Sequence, residues 1–256
     1  MNPLHEAPPL YRYVLRLGDL ALVLGQRLSE WVGHAPALEE DLGLANTALD
    51  LVGQARLLLA YAGEIEGRGR GEDEIAFLRD QGQYLNPTLA EQPNGDFGET
   101  IVRQVLLDAF QLALYERLTS SRDERLAAVA EKAVKETRYH LRYSAGWLVR
   151  LGDGTEASHA RAQRALERLW PYTVELFEAD ALDREMAEHG IAPSLQDVRS
   201  AWNGHIDEVL AEATLDRPAD NQPFTWFGKR GEHSEHFGYL LAEMQYLQRA
   251  YPGARW

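Results

Sequence analysis

Asp108 and His140 are the residues of this sequence whose types and spacing best suit chemistry. Each falls where a helix seam should hold Leu or Ala. Asp108 interrupts the repeat Ile101, Val105, Leu112 and Tyr115, and His140 shares its face with Thr137 and Ser144. A four-helix bundle that holds two irons carries inward carboxylates and Glu-x-x-His pairs at such positions. Those oxygen and imidazole donors suit iron or manganese. Thr137-x-x-His140 has the spacing of such a pair without its carboxylate, and Glu136, one position earlier, faces about 100° away. On the facing helices the corresponding places hold Ala21, Leu51 and Gln54. Asp108 and His140 are then either metal ligands or a buried pair that satisfies itself by hydrogen bonding. Two ligands cannot build an oxygen-activating centre, so ligand count favours the structural reading. No residue is assigned a catalytic, cofactor-binding or metal-binding role.

Other candidates are weaker. His233-Ser-Glu-His236 lies beside the start of the last helix with i, i+3 rather than i, i+4 spacing, and is expected to be an exposed or partner-facing cap. His34, His159, His189 and His205 are isolated and expected at the surface or its boundary. Gly67, Gly69 and Gly71 alternate with other residues, two of them Arg, but no strand precedes them, so they read as a solvated linker rather than a phosphate cradle. There is no Gly-x-Ser-x-Gly elbow. Trp147, Trp170, Trp202 and Trp226-Phe227 read as core or interface rather than a ligand pocket.

The elements that must position these residues are helices. Leu10, Val14, Leu17, Ala21, Leu24, Leu28 and Trp31 recur at spacings of four and three, with Asp19 roughly opposite that seam. Gly33 and Pro36 end this helix. Leu44, Ala48, Leu51, Ala55, Leu58 and Ala62 form the seam of a second, whose short link makes it an antiparallel neighbour. Residues 82–97, with Asn86-Pro87, Pro93 and Asn94-Gly95, read as an ordered loop dense in turn residues. Further helices are predicted over about 98–118, 122–151 and 155–189, the last bent or restarted at Pro171. Ser194 caps a sixth, and the last spans about 234–249. The expected fold is all-α: a ferritin-like bundle of long helices with accessory C-terminal helices, forming a single domain over residues 1–256.

Composition narrows the function class. The chain is 45% hydrophobic and 26% charged, and 40 acidic against 26 basic residues give a net charge of −14. That balance opposes nonspecific nucleic-acid binding. The absence of cysteine excludes disulfides, thiolate metal sites and cysteine nucleophiles, and fits a reducing compartment. Residues 1–9 lack the basic and apolar regions of a signal peptide. No run approaches the roughly 18 apolar residues of a membrane span. A cytoplasmic protein is expected.

Several strings, in order along nearly the whole chain, carry a resemblance: Leu17-Gly-Asp19 with Leu24-Gly-Gln-Arg27, Pro36-Ala-Leu-Glu-Glu-Asp41, and Ala48-Leu-Asp-Leu-Val-Gly-Gln-Ala-Arg56. Asn94-Gly-Asp-Phe97, Tyr139-His-Leu-Arg142, Arg150-Leu-Gly-Asp-Gly-Thr-Glu156 and Ala242-Glu-Met-Gln-Tyr-Leu-Gln-Arg-Ala-Tyr-Pro-Gly253 complete them. Together they resemble the C-type subunits of phenylacetyl-CoA 1,2-epoxidase, the ring-oxygenating complex of aerobic phenylacetate degradation. The resemblance implies a ferritin-like fold and a structural, noncatalytic role beside a paralogous catalytic partner, the A-type subunit, which carries the di-iron site. It also implies further subunits, including a reductase, and no cofactor in this chain. Counted from the shared proline after the first helix, the A-type subunit's Glu ligand corresponds to Ala21 and its second-helix Glu-x-x-His to Leu51 and Gln54. Its third-helix carboxylate corresponds to Asp108 and its fourth-helix pair to Thr137 and His140, leaving a relict site. The rival expectation is a stand-alone ferritin-like oxygenase or oxidase with a degenerate di-metal site. A homo-oligomer of the isolated chain is compatible with either.

Overall fold

The computed structural model describes residues 3–220, 222–224 and 227–254. Its α-helices in chain order are α1 (Pro9–Ser29), α2 (Leu38–Glu66), α3 (Glu72–Phe77), α4 (Phe97–Leu118) and α5 (Glu124–Gly152), then α6 (Glu156–Leu169), α7 (Thr173–Phe177), α8 (Ala181–Glu188), α9 (Leu195–Glu212) and α10 (Glu235–Ala250). No strand occurs among the described residues, and none of their helices is long and apolar enough to cross a membrane. The chain divides into two compact units, Met1–Pro93 with Trp226–Trp256, and Asn94–Thr225.

In the first unit α1 packs along α2, and two glycines set how closely. A Cβ on Gly18 would lie 2.7 Å from Leu59 Cδ2, and one on Gly25 would lie 3.3 Å from Leu51 Cβ and from the Ala48 carbonyl. The pairing runs in opposite directions along the two helices, as their short link requires. α1 is buried on nearly every side, Asp19 included. Asp19 lies opposite the Leu and Ala seam, as the helical period requires, and that side of α1 is covered as well. Its carboxylate accepts from both guanidinium Nη atoms of Arg79, with Nη1 at 3.0 Å from Oδ2, and from the Leu85 amide at 2.8 Å. A buried charge needs such a partner.

Arg79 also donates to the carbonyls of Ile75 (2.6 Å) and Gln83 (2.7 Å) and lies 4.0 Å over the Tyr84 ring. Gln245 of α10 donates to the Arg79 carbonyl at 2.7 Å and to the Tyr84 hydroxyl at 2.9 Å. The turn-rich segment is thus pinned to α1, α3 and α10 at once, which is why it is ordered although a 3-10 turn (Gln81–Gln83) is almost all its secondary structure.

In the second unit α4 is the central helix. Between Gln104 and Tyr115 its only ionised side chain is Asp108, and every residue from Thr100 to Tyr115 is buried. A helix apolar on all sides is one surrounded by protein. α5, α6 and α9 pack against it. Asp96 caps α4 by accepting from the Glu99 amide at 3.0 Å, and Asp123 caps α5 by accepting from Arg125 and Leu126. Trp202 of α9 donates to the Leu106 carbonyl at 2.9 Å, and its ring joins Trp170 and Phe177 in an aromatic cluster. The helix predicted over 155–189 restarts at Pro171 as expected and breaks a second time before α8, which the prediction missed. Pro171 falls in a 3-10 turn (Trp170–Tyr172) after α6, and Asp180 caps α8 in a box with Asp183.

Candidate functional site

The seam residues of α4 and α5 assemble a buried polar cluster. Asp108 is 1% exposed, Thr137 and His140 are 0%, and Ser144 is 1%, so none of them is a surface accident. They sit on faces otherwise made of Ile101, Val105, Leu112, Ala130, Ala133 and Leu148, which bring the two helices together. Ser144 Oγ donates to Asp108 Oδ2 at 2.8 Å, and Gln104 Nε2 approaches Oδ1 at 3.5 Å. Burial pushes the Asp108 carboxyl up to about 6. His140, the Ser144 hydrogen bond and Arg103 act in the other direction and keep it from rising further. Burial likewise raises the Tyr115 hydroxyl on the same helix well above its ordinary value.

The seam pattern does not single out Arg103, Gln104 and Gln111, all buried on α4. Arg103 donates to Asn94 Oδ1 at 2.7 Å, so its charge has a fixed partner at the head of the helix. A signal for them is present in the sequence: a helix with a single ionised residue over three turns buries its amides as well as its leucines.

Ala21, Leu51 and Gln54 lie in the first unit, where each is buried at 0%, 0% and 1% exposure. They supply a methyl, an isobutyl and an amide. A di-iron site of the bundle type needs four carboxylates and two imidazoles. The six seam positions offer one carboxylate and one imidazole, and among the described residues no three His, Asp or Glu side chains are placed to share a metal ion. The residues present do not fit a di-iron centre. What Asp108 can do chemically, buried as it is, is hold its proton to higher pH than an exposed aspartate would.

His233 does not behave as expected. Instead of an exposed cap it is a core residue of the first unit, with Nδ1 2.9 Å from Glu91 Oε2 and Nε2 3.0 Å from the Tyr84 carbonyl. Glu91 also accepts from the Ser234 amide (2.6 Å) and Asn86 Nδ2 (3.0 Å), while Arg27 holds the Glu91 carbonyl at 2.7 Å. The i, i+3 spacing straddles the start of α10: His233 precedes the N-cap residue Ser234, and His236 lies in the first turn and is partly exposed. Trp170 and Trp202 are buried as expected for core residues, and Trp147 stacks edge-on against Phe97; Trp226 lies outside the described residues.

Two comparisons bear on this arrangement. The family model described as phenylacetic acid catabolic protein matches residues 2–256. A protein of Escherichia coli (strain K12), named as the C subunit of 1,2-phenylacetyl-CoA epoxidase, is 53% identical over 247 residues, covering 96% of this chain and 99% of that protein. The all-α, ferritin-like fold is the one the sequence predicts. Matched over nearly its whole length, the chain belongs to the phenylacetic acid catabolic protein family.

Proposed function

We propose that this chain is the structural, noncatalytic subunit of a multicomponent monooxygenase that epoxidises the ring of phenylacetyl-CoA. The observation that carries the reading is the poverty of donors on the seams: Asp108 and His140 where six ligands would be needed. The name of the Escherichia coli relative supports it, because a protein named as one subunit of an epoxidase belongs to an assembly. In this reading a paralogous A-type subunit holds the di-iron site and does the catalysis, a reductase subunit supplies electrons, and the complex works in the cytoplasm.

The chain would contribute without touching the reacting atoms. A rigid body packed against a catalytic subunit holds that subunit's helices in the productive geometry, and small misplacements of reacting groups cost orders of magnitude in rate. The buried Asp108–Ser144 contact and the Asp19–Arg79 pair serve that rigidity by giving the core polar interactions that only one packing satisfies.

Metal analysis of the chain purified alone, and again after coexpression with the catalytic subunit, tests the reading. Iron is expected only in the coexpressed complex. Iron at one or two per chain in the lone protein, lost on substituting Asp108 and His140 by Ala, would overturn it in favour of a chain that does its own chemistry.

A further inference from the structure

Helix α2 carries two apolar faces, and packing within the chain accounts for one. Leu44, Leu51, Ala55 and Leu58 are buried. On the outward side Leu38 (70% exposed), Leu42 (57%), Leu49 (68%), Val52 (37%) and Leu57 (39%) stand in solvent. Leu38, Leu42, Ala45, Leu49 and Val52 alternate spacings of four and three, the repeat of a seam that receives another helix, and Arg56 follows at the next place. The stripe runs about 30 Å at 1.5 Å per residue. A surface helix of a self-sufficient domain is polar on this side.

Gly53 lies in the same face. A Cβ there would meet nothing within 4 Å, so no contact inside the chain calls for glycine. In a helix interior it costs about 1 kcal/mol relative to Ala. Leu49 and Leu57 flank it one turn away on either side. A glycine without internal cause between exposed leucines fits a backbone approaching closely from outside.

Charge decides the occupant. The ionised side chains of α2 are Glu39, Glu40, Asp41, Asp50, Glu64 and Glu66, against Arg56 alone. Arg56 is paired with Glu72 at 3.2 Å, and Glu66 with Arg70 at 2.6 Å. A second copy of the chain docked on this face would be related by two-fold symmetry. Antiparallel and centred on the stripe, it would set Glu39–Asp41 across from residues 54–56, whose one cation, Arg56, is already paired with Glu72; parallel, it would set the first-turn acids against themselves. Each chain also carries a net charge of −14, so both arrangements bring two acidic surfaces together.

We infer that the outward face of α2 is the docking surface for another subunit of the oxygenase, which presents a helix with an apolar stripe flanked by Lys and Arg. The inference rests on the function proposed above and adds to it the surface and the partner's chemistry. Leu49→Lys and Gly53→Lys place a cation in the stripe at positions whose change leaves the lone fold intact, as circular dichroism and the unfolding midpoint will verify.

The experiment is copurification of the tagged chain with the coexpressed oxygenase subunits, followed by titration of the purified partners. The wild-type chain is expected to bring down at least one of them and to lose affinity as salt rises. Each Lys variant is expected to bind about thirtyfold more weakly, the scale of a hot-spot side chain. Variants that bind like wild type would overturn the inference while leaving the proposed function in place. A wild-type chain that brings down no oxygenase partner would end both. A homodimer broken by Leu49→Lys, with partner binding unchanged, would assign the face to a second copy and overturn the inference.

Discussion

Ser144 of α5 donates a 2.8 Å hydrogen bond to Asp108 of α4 in a core that water does not reach. That contact links the two helices through the group whose ionisation is least favoured there. Burial raises the Asp108 carboxyl from 3.8 to about 6, so the folded chain binds a proton more tightly than the unfolded one. Its contribution to stability is therefore complete below about pH 4 and is lost as pH rises through about 6. At pH 8 the loss is on the order of 3 kcal/mol. Asp108→Asn keeps an acceptor for Ser144 and removes the charge. The variant is expected to melt higher than wild type at pH 8, with the gap closing toward pH 5. Melting curves across that range check it, and a variant that melts lower at pH 8 would mean that the carboxylate is needed as an ion.

The seams and the polar cluster are legible in sequence because both depend on helical period alone. Asp108, Thr137, His140 and Ser144 break an apolar repeat at core positions, and the structure buries all four. Asp19 and His233 are not legible in this way, for a common reason. Their partners, Arg79 and Glu91, lie 60 and 142 residues away in the chain, and no local pattern announces a pairing at that distance. Periodicity shows the strongest buried face of α1 but not that loop and helix residues cover the others. The restart at α8 is written in Asp180 and Asp183 as a capping box.

The Asp19–Arg79 pair has both side chains at 1% exposure or less. Removing one partner leaves the other's charge buried and alone, which costs about 3–5 kcal/mol. Arg79→Met and Asp19→Asn should each lower the urea midpoint by that measure. The double change Asp19→Asn with Arg79→Met should recover part of it, since no charge is then stranded. A double variant as unstable as the sum of the two single changes would show that the pair does not act as a unit.

The Glu91–His233 contact ties the loop before α4 to the start of α10. His233→Ala removes a side chain whose two ring nitrogens both have partners, taking away the contact to the Tyr84 carbonyl and leaving Glu91 Oε2 with Asn86 Nδ2 alone. The expected cost is about 1–3 kcal/mol. Amide hydrogen exchange should show faster opening of α10 and of residues 84–92, with α4 and α5 unchanged. Uniform loss of protection across the chain would mean the contact supports the whole fold rather than this segment.

Gly53 and Gly152 should respond oppositely to the same substitution. A Cβ on Gly152, at the end of α5, would lie 2.1 Å from the Ala213 carbonyl oxygen, a backbone atom that cannot move without shifting the end of α9. Gly152→Ala should therefore destabilise by about 1–3 kcal/mol, the usual cost of overpacking. Gly53 meets nothing within 4 Å, so Gly53→Ala should stabilise the isolated chain by up to about 1 kcal/mol through helix propensity alone. The two unfolding midpoints, measured on the lone chain, decide the matter. A stabilising Gly53→Ala means that glycine is retained there against the stability of the chain itself, so the reason for it lies in what packs on α2. A destabilising one places the reason inside the fold.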